Sequence, residues 1–339
     1  MVLKLRDKWV WDFWFARDGD DFHIFYLQAD RRLEDETKRH WHVSIGHARS
    51  GDLRDWTILP DALGPSPADE DALPEPADNS STWTGSIVRH DDGCWHLFYT
   101  GTRRSEGGRR QRICLATSND LITWTRHGDD AILEADPRWY EKLDDAAWHD
   151  EAWRDPWVFR DPQDGRFHMY LTARANAGPA DERGVIGHAV SDDLKSWRAL
   201  PPVTEPGRYG QMEVPQLVEI GGRYYLIFCN VSEFIASKHA KSMPRGPVSG
   251  IHYLIADNPY GPFREPHDDF WIGHPVGRLY AGRLVEYPEG AWNLMAFRYF
   301  DEQGKFVGEI TDPMPVSVAA DGTLILQGKA EKGKSVGVG

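Results

Sequence analysis

The chain has 339 residues, of which 40% are hydrophobic, so it is long enough to bury a large core and would ordinarily form about two domains. Its net charge of −14 argues against nucleic acid and anionic membranes as partners. No apolar run approaches the roughly 20 residues that cross a bilayer. Three cysteines without metal spacing, and no apolar leader, predict a reduced cytoplasmic protein.

Short segments of strand character recur along the chain, each directly after a turn signal such as Asp18-Gly19. They are DDFHIFY (20–26), GCWHLFY (93–99), GRFHMYL (165–171), GRYYLIF (222–228) and GAWNLMA (290–296). A second segment follows the first three as IGHARSGDLRDWT (45–57), ICLATSNDLITWT (113–125) and IGHAVSDDLKSWR (186–198), and the fourth in the looser form HYLIADNPYGPF (252–263). An all-β repeat of roughly 60 to 70 residues without helical periodicity predicts a five-bladed β-propeller.

A propeller is one domain, so the repeat overrides the two-domain expectation. We expect the propeller to occupy residues 1–327, with 313–326 completing the last blade, and a disordered tail over 328–339. The recurring Trp56, Trp124 and Trp197 are then explained by packing within the blades, and the recurring His23, His96 and His168 are structural as well.

The segment before each turn signal is predicted to be the innermost strand of its blade. Aligning these five strands on one position gives Asp12, Ser86, Asp155, Glu213 and approximately Ala281. Innermost strands converge at the propeller axis, so the three carboxylates should meet at one axial mouth. Like charges in a partly dry pocket push at least one carboxyl pKa up. A pair of carboxylates with separated pKa values is what glycoside chemistry requires.

Tryptophans that do not follow the repeat flank these positions: Trp11, Trp14, Trp83, Trp153 and Trp157. We expect Trp11, Trp14 and Trp83 to bind substrate, because flat aromatic walls stack against sugar rings. Arg154, next to Asp155, could hold a carboxylate or donate to hydroxyl groups. The alternative is a purely structural ring of ion pairs at the axis.

Four motifs resemble those of fructosyl-processing propellers, glycoside hydrolase families 68 (levansucrases) and 32 (invertases and fructanases). VWDFW (10–14) is similar to the nucleophile motif of levansucrases, and WTGS (83–86) to the segment that supports the nucleophile. WRDP (153–156) matches the Arg-Asp-Pro motif of both families, and MEVP (212–215) resembles the acid/base segment of invertases.

The resemblance implies a retaining fructofuranosidase or fructosyltransferase that works through a covalent fructosyl–enzyme intermediate, with a small carbohydrate as its partner and no cofactor. It implies that Asp12 is the nucleophile, Glu213 the general acid/base and Asp155 the stabiliser of the transition state. Trp11, Trp83 and Ser86 would line the fructosyl subsite, with Ser86 bonding the Asp12 carboxylate.

The chain departs from the families at the leaving-group side. Gln211, which we expect to bind substrate, stands where levansucrases have a carboxylate, and no arginine directly follows Glu213, which puts sucrose itself in doubt as the substrate. The C-terminal β-sandwich of family 32 is not expected, because no room remains after residue 326.

Three other functions compete with this reading. They are an inverting arabinan- or xylan-cleaving propeller, a glycoside phosphorylase and a non-catalytic sugar-binding propeller. We expect no metal site, since His40 and His42 in KRHWHV are a weak pattern. The basic segment TRRSEGGRRQR (102–112) is predicted to be a solvated hairpin, with a phosphate contact as the alternative.

Overall fold

The computed structural model describes residues 2–67, 75–143, 148–267 and 269–327. These residues form five antiparallel sheets. The one α-helix among them is α1 (Ser237–Ala240), four residues long. The tail predicted to be disordered, 328–339, lies outside the described residues. Within the described ranges, no helix is long and apolar enough to cross a membrane.

In the first two blades, strands that follow one another in the chain are neighbours in the sheet. Blade one consists of β1 (Lys8–Asp18), β2 (Asp21–Asp30), β3 (Ser44–Ser50) and β4 (Thr57–Leu63). Blade two consists of β5 (Ser81–Arg89), β6 (Trp95–Thr102), β7 (Gln111–Ser118) and β8 (Thr125–Arg126). Short 3₁₀ turns follow β2 at Arg31–Leu33 and Glu36–Trp41.

The remaining blades repeat this order, and the last one carries an additional strand. Blade three consists of β9 (Trp153–Arg160), β10 (Phe167–Arg174), β11 (Gly184–Ser191) and β12 (Arg198–Leu200). Blade four consists of β13 (Glu213–Ile220), β14 (Arg223–Asn230), β15 (Ser249–Ala256) and β16 (Ile272–His274). Blade five consists of β17 (Leu279–Glu286), β18 (Trp292–Phe300), β19 (Phe306–Ile310), β20 (Met314–Val318) and β21 (Leu324–Leu326).

The first strand of each sheet lies at the centre of the molecule. We call β1, β5, β9, β13 and β17 the inner strands. Each inner strand contacts the next one around the ring, and β17 contacts β1. This closed ring of five sheets is the predicted five-bladed propeller, and the repeated segments found in the sequence are its second and third strands.

The recurring tryptophans belong to the scaffold, as predicted. Trp124 and Trp197 each donate their indole N–H to the carbonyl of the leucine three residues earlier, Leu121 and Leu194, at 3.1 Å. Both leucines are buried and adopt a positive φ, as does Leu53 in blade one. Apolar residues between neighbouring blades form the core, which holds the inner strands in place.

Every inner strand carries a β-bulge near its start. In β1 the residues on either side of Asp12 pair with Leu27 and Tyr26, which are consecutive on β2, so Asp12 is the extra residue. The same one-residue excess interrupts the pairing of the other four inner strands. A bulge makes two consecutive side chains depart from the usual alternation and re-aims them, which is common beside functional sites.

Candidate active site

The bulges place two rings of side chains around the propeller axis. The last paired residue before each bulge forms what we call the upper ring, which comprises Trp11, Trp83, Arg154, Glu213 and Tyr280. The next residue of each strand forms the lower ring, which comprises Asp12, Thr84, Asp155, Val214 and Ala281. Three members of the lower ring, Asp155, Val214 and Ala281, share a positive φ of 46–56°.

The two rings line a cavity of about 410 Å³, the mouth cavity, at the end of the axis where the inner strands begin. All five upper-ring residues line it, together with Asp12, Thr84, Asp155 and Val214. The three carboxylates predicted to converge therefore do so. Glu213, however, lies one residue before the position of Asp12 and Asp155, which Val214 occupies. The predicted alignment of Glu213 was wrong by one residue, because the bulge of β13 begins after Glu213, whereas the bulges of β1 and β9 begin before Asp12 and Asp155.

Thr84, and not Ser86, supports Asp12. The Thr84 hydroxyl donates to Asp12 Oδ2 at 2.6 Å, whereas the Ser86 hydroxyl accepts from the Val158 amide at 3.1 Å. Counting back from the turn signal misplaced this position, because the loop between β5 and β6 is longer than the two-residue loop between β1 and β2. The predicted contact between Ser86 and Asp12 is thus corrected to Thr84.

Burial dominates the electrostatics of the two aspartates. It raises the pKa of Asp12 to about 7, and the neighbouring charge of Asp155 adds to this rise, while the Thr84 hydrogen bond opposes it. Burial also raises the pKa of Asp155, although the Arg154 guanidinium opposes that rise. Asp155 Oδ2 accepts hydrogen bonds from the Thr172 hydroxyl at 2.7 Å and the Val214 amide at 3.2 Å, which fix its orientation.

Arg154 joins the third carboxylate to the cluster. Its Nη2 lies 2.7 Å from Glu213 Oε1, and its Nε lies 3.5 Å from Asp155 Oδ2. Burial lowers the pKa of Arg154, but Glu213, Asp150 and Asp155 outweigh that effect and raise it, so the guanidinium stays charged. The Tyr280 hydroxyl donates to Glu213 Oε2 from the opposite side. Glu213 is therefore held between a cation and a neutral donor.

The predicted substrate-binding tryptophans divide into two groups. Trp11 and Trp83 line the mouth cavity, with His40 between them, and Trp83 Nε1 donates to the His40 carbonyl at 2.8 Å. Burial lowers the pKa of His40 to about 3, so its ring is neutral. Trp14 does not line the cavity. It is fully buried and stacks on Phe25, because the bulge at Asp12 turns it into the core.

Gln211 and Gln111 complete the surroundings of Arg154. Gln211 lines the mouth cavity, as predicted, and its side-chain oxygen accepts from Arg154 Nη2. The Gln111 side-chain oxygen accepts from Arg154 Nη1 at 3.0 Å. Thr84, Tyr280 and Gln111 were not predicted as site residues. For Tyr280 a signal was present, because it directly precedes the aligned Ala281.

The basic segment 102–112 is only partly available to a ligand. Arg103 pairs with Asp130 at 2.7 Å, and Arg112 pairs with Glu106 and Glu134 at 2.6 and 2.7 Å. Arg109 is exposed and lines the rim of the mouth cavity. The segment is a hairpin between β6 and β7, as predicted, but it is solvated only in part, because Arg104 and Arg109 are exposed whereas Arg112 is buried in its ion pairs.

Three buried polar atoms of residues that line the cavity have no hydrogen-bond partner among the described residues. They are the donors Nε1 of Trp11 and Nε of Arg39, and the acceptor Oδ1 of Asp150. Buried polar atoms are normally satisfied, and exceptions call for an explanation such as an absent ligand.

The described residues contain one cluster with metal-ligand chemistry, at the turn between β9 and β10. It comprises Asp161, Asp164 and His168. Their atoms are engaged by protein groups: His168 contacts His188 at 2.9 Å and Asp164 at 3.1 Å, and the Tyr260 hydroxyl bonds Asp161. A similar histidine pair, His23 and His47 at 2.8 Å, occurs in blade one, as a scaffold role predicts.

Residues 14–250, more than half of the chain, match the glycosyl hydrolases family 32 N-terminal domain. The chain belongs to this family. It is 25% identical to an extracellular sucrase of Zymomonas mobilis over 94% of this chain and 81% of that protein. It is 27% identical to the levansucrase LscB of Pseudomonas savastanoi over 70% of this chain and 59% of that protein.

The fold of this family 32 member also agrees with a solved relative. An inulosucrase from Halalkalicoccus jeotgali, bound to kestose, superimposes with a TM-score of 0.77 and is 22% identical in sequence. The alignment covers 95% of this chain and 87% of the inulosucrase. The resemblance found in the sequence is thereby confirmed for the family and for the fold.

Proposed function

We propose that this protein is a retaining glycoside hydrolase or fructosyltransferase that acts on β-fructofuranosides through a covalent fructosyl–enzyme intermediate. The observation that carries the proposal is the placement of Asp12, Asp155 and Glu213 in one cavity, with Thr84 on Asp12 and Arg154 on Glu213. Family 32 membership and relatives named as sucrase and levansucrase support the same reaction.

In the first step, a carboxylate oxygen of Asp12 attacks the anomeric carbon of the fructosyl unit while the glycosidic bond breaks. Glu213 gives its proton to the departing oxygen, so the leaving sugar departs as a neutral alcohol. In the second step, Glu213 takes a proton from water or from a sugar hydroxyl as that oxygen attacks the same carbon. The bond to Asp12 breaks and the original protonation state returns.

The remaining residues bind and stabilise the sugar. Asp155, held by Thr172 and Val214, accepts from fructosyl hydroxyls and stabilises the positive charge that develops in the transition state. We propose that Arg154 and Gln211 border the boundary between the fructosyl unit and its leaving group.

Arg109, His149 and Glu233 also line the mouth cavity, and we propose that they border the leaving group. Val214 follows Glu213 where an arginine would otherwise contact the leaving sugar. We therefore propose short fructo-oligosaccharides as substrates on at least equal terms with sucrose. The catalytic domain is proposed to span residues 1–327.

A cytoplasmic location remains part of the proposal. All three cysteines are free, which suits a reducing compartment. In contrast, one relative is named as an extracellular sucrase, which favours a location outside the cell. Fractionation of the source cells, followed by immunodetection, would decide between the two compartments.

The function is tested by incubating the protein with sucrose, raffinose, kestose, and inulin- and levan-type oligosaccharides. Asp12→Ala serves as the inactive control, and Trp14→Phe as a matched control outside the cavity. Fructose or longer fructosides should appear with the unmodified protein and with Trp14→Phe only. In methanol, methyl β-fructofuranoside indicates retention. Inverted product, or cleavage of arabinofuranosides alone, would overturn the proposal, and tight sugar binding without turnover would indicate a sugar-binding propeller.

A further inference from the structure

The 3₁₀ turn Glu36–Trp41, between β2 and β3, borders one side of the mouth cavity. Its last three residues, Arg39, His40 and Trp41, all line the cavity. The indole nitrogen of Trp83 donates to the His40 carbonyl at 2.8 Å, which fastens the turn of blade one to blade two. The turn is therefore part of the wall of the site.

Trp41 is 47% exposed, although it is a large aromatic side chain. Single exposed apolar residues are common and need no explanation, but Trp41 is not isolated. Its ring lies against that of Trp83, with ring centres 5.5 Å apart. The other large hydrophobic side chains that are similarly exposed among the described residues do not line the mouth cavity. They are Ile58, Tyr260, Val276, Val318 and Ile325.

A row of rings leads from the carboxylates to Trp41. The ring of Trp11, next to Asp12, has its centre 5.9 Å from that of His40, which lies 6.4 Å from that of Trp83. Exposure rises along the row, from 1% at Trp11 through the partly buried Trp83 to 47% at Trp41. The row thus begins beside the proposed nucleophile and ends at the rim of the cavity.

The hairpin between β6 and β7 also holds the Trp41 ring. Gly107 and Gly108 both have a positive φ, of 61° and 68°. A Cβ atom on Gly108 would overlap the six-membered ring of Trp41, whereas a Cβ atom on Gly107 would meet no atom within 4 Å. The ring is therefore in place before a ligand arrives, which lowers the entropic cost of packing against it.

The lining of the cavity limits what can pack on this ring. Five carboxylates and three guanidinium groups line the mouth cavity in the described part of the chain. This excess of negative charge disfavours a phosphorylated or otherwise anionic ligand. A neutral sugar ring has a face of C–H groups that packs on a flat aromatic surface. Arg109, exposed on the same rim, can donate to its hydroxyl groups.

Glu213 indicates which sugar unit reaches Trp41. The glycosidic oxygen must come within hydrogen-bond reach of Glu213, so the first unit of the leaving group lies beside blade four. Trp41 lies where blade one meets blade two, through Trp83 and Gly108. Blade four is a neighbour of neither. A unit on Trp41 is consequently one that is not joined directly to the fructosyl unit.

We propose that Trp41 is the stacking platform of a subsite, the rim subsite, for a neutral sugar unit beyond the first unit of the leaving group. Gly108 positions the ring, and Arg109 donates to the hydroxyl groups of that unit. The rim subsite favours fructosides of at least three units over sucrose. This inference rests on the proposed function and deepens it, because it names the class of fructoside that the site prefers.

The test is the ratio of kcat/KM for kestose, which has three units, to kcat/KM for sucrose, which has two. Trp41→Ala should lower this ratio roughly 10-fold, because only kestose reaches the rim subsite. Trp41→Phe retains a flat ring and should keep most of the ratio. Equal losses of kcat/KM for the two substrates in Trp41→Ala would overturn the inference.

Gly108→Ala and Gly107→Ala form a matched pair. Both impose the same backbone strain, but only Gly108→Ala displaces the Trp41 ring. Gly108→Ala should therefore lower the ratio as Trp41→Ala does, whereas Gly107→Ala should leave the ratio as it is in the unmodified protein. An equal change of the ratio in both glycine variants would also overturn the inference.

Calorimetry with kestose and the inactive Asp12→Ala variant separates the rim subsite from the proposed reaction. Adding Trp41→Ala should weaken kestose binding roughly 10-fold. Unchanged binding would overturn the rim subsite and leave the proposed function intact. If kestose did not bind at all and the unmodified protein did not cleave it, the proposed function would fail and the inference with it.

Discussion

The Thr84 hydroxyl lies 2.6 Å from Asp12 Oδ2, so a hydrogen bond from blade two supports the carboxylate of blade one. Both residues are the extra residues of their bulges. The nucleophile assignment thus depends on two neighbouring blades keeping their relative position. This relationship leads to the first test.

Thr84→Val should lower kcat/KM by roughly 10- to 100-fold, because it removes a hydrogen bond to a charged group and keeps the shape of the side chain. The same hydrogen bond holds the pKa of Asp12 down, so the acidic limb of the activity profile should also move to higher pH. Ser86→Ala should instead lower stability by about 1–3 kcal/mol, since it leaves the buried Val158 amide unpaired. Equal kinetic losses in both variants would contradict the assignment of Thr84.

Asp12→Asn should abolish activity and stabilise the fold at neutral pH and above. The folded-state pKa of about 7 exceeds the ordinary value of 3.8, so the folded state holds the Asp12 proton more tightly than the unfolded state. This contribution to stability is complete below about pH 4 and is lost as the pH rises through 7. The amide of Asp12→Asn does not ionise, so the variant does not lose this stability. The difference in free energy of unfolding between the variant and the unmodified protein should grow between pH 4 and 7 and level off at roughly 2–4 kcal/mol. Urea unfolding at several pH values measures it, and a pH-independent difference would refute the prediction.

Glu213→Gln should lower kcat/KM for kestose by roughly 100- to 10,000-fold, because the amide cannot protonate the leaving oxygen. Fructosyl fluoride needs little protonation at its leaving group, so its turnover should fall far less. Steady-state kinetics with both substrates provide the comparison. If kcat/KM fell equally for the two substrates, Glu213 would be a binding residue and not the acid.

Arg154→Lys should lower kcat/KM by roughly 100-fold, although the charge is retained. The planar guanidinium reaches Gln111, Gln211 and Glu213 together, which a single ammonium group cannot do. Arg160→Lys is the control, since Arg160 pairs with Asp91 at an exposed site. Michaelis–Menten kinetics of both variants are compared, and a nearly unaffected Arg154→Lys would show that charge alone is sufficient.

The acidic limb of kcat/KM should report the coupled carboxyl cluster. Burial raises the pKa of Asp12 to about 7, and Asp12 must be ionised to attack, so activity should decline as the pH falls below that value. A profile that stays flat down to pH 5 would argue against Asp12 as the nucleophile.

The architecture was accessible from sequence because each blade repeats the same pairs of strands. Turn signals and alternating aromatics recur often enough to fix the number of blades and to bring Asp12, Asp155 and Glu213 to one end of the axis. The exact position of each site residue within its inner strand was harder to predict from the sequence. Ser86 replaced Thr84 in the prediction because hairpin loops differ in length, and Trp14 was misplaced because a bulge reverses the side-chain alternation. Bulges arise from pairing with a neighbouring strand, which a single segment does not encode.

The paired rings also bear on how such an enzyme could be diversified. A regular strand would offer the cavity only alternate residues, whereas four of the five bulged inner strands offer two in succession and β17 offers Tyr280. The inner-strand residues at the mouth cavity therefore belong to five dipeptides: Trp11-Asp12, Trp83-Thr84, Arg154-Asp155, Glu213-Val214 and Tyr280-Ala281. Thr84 and Tyr280 bond the carboxylates of Asp12 and Glu213, and Val214 and Ala281 pack in the core, so a change at any of these positions alters the catalytic groups or the packing as well as the sugar contacts. A small number of positions therefore determines the chemistry of the mouth cavity, and the fold constrains most of them.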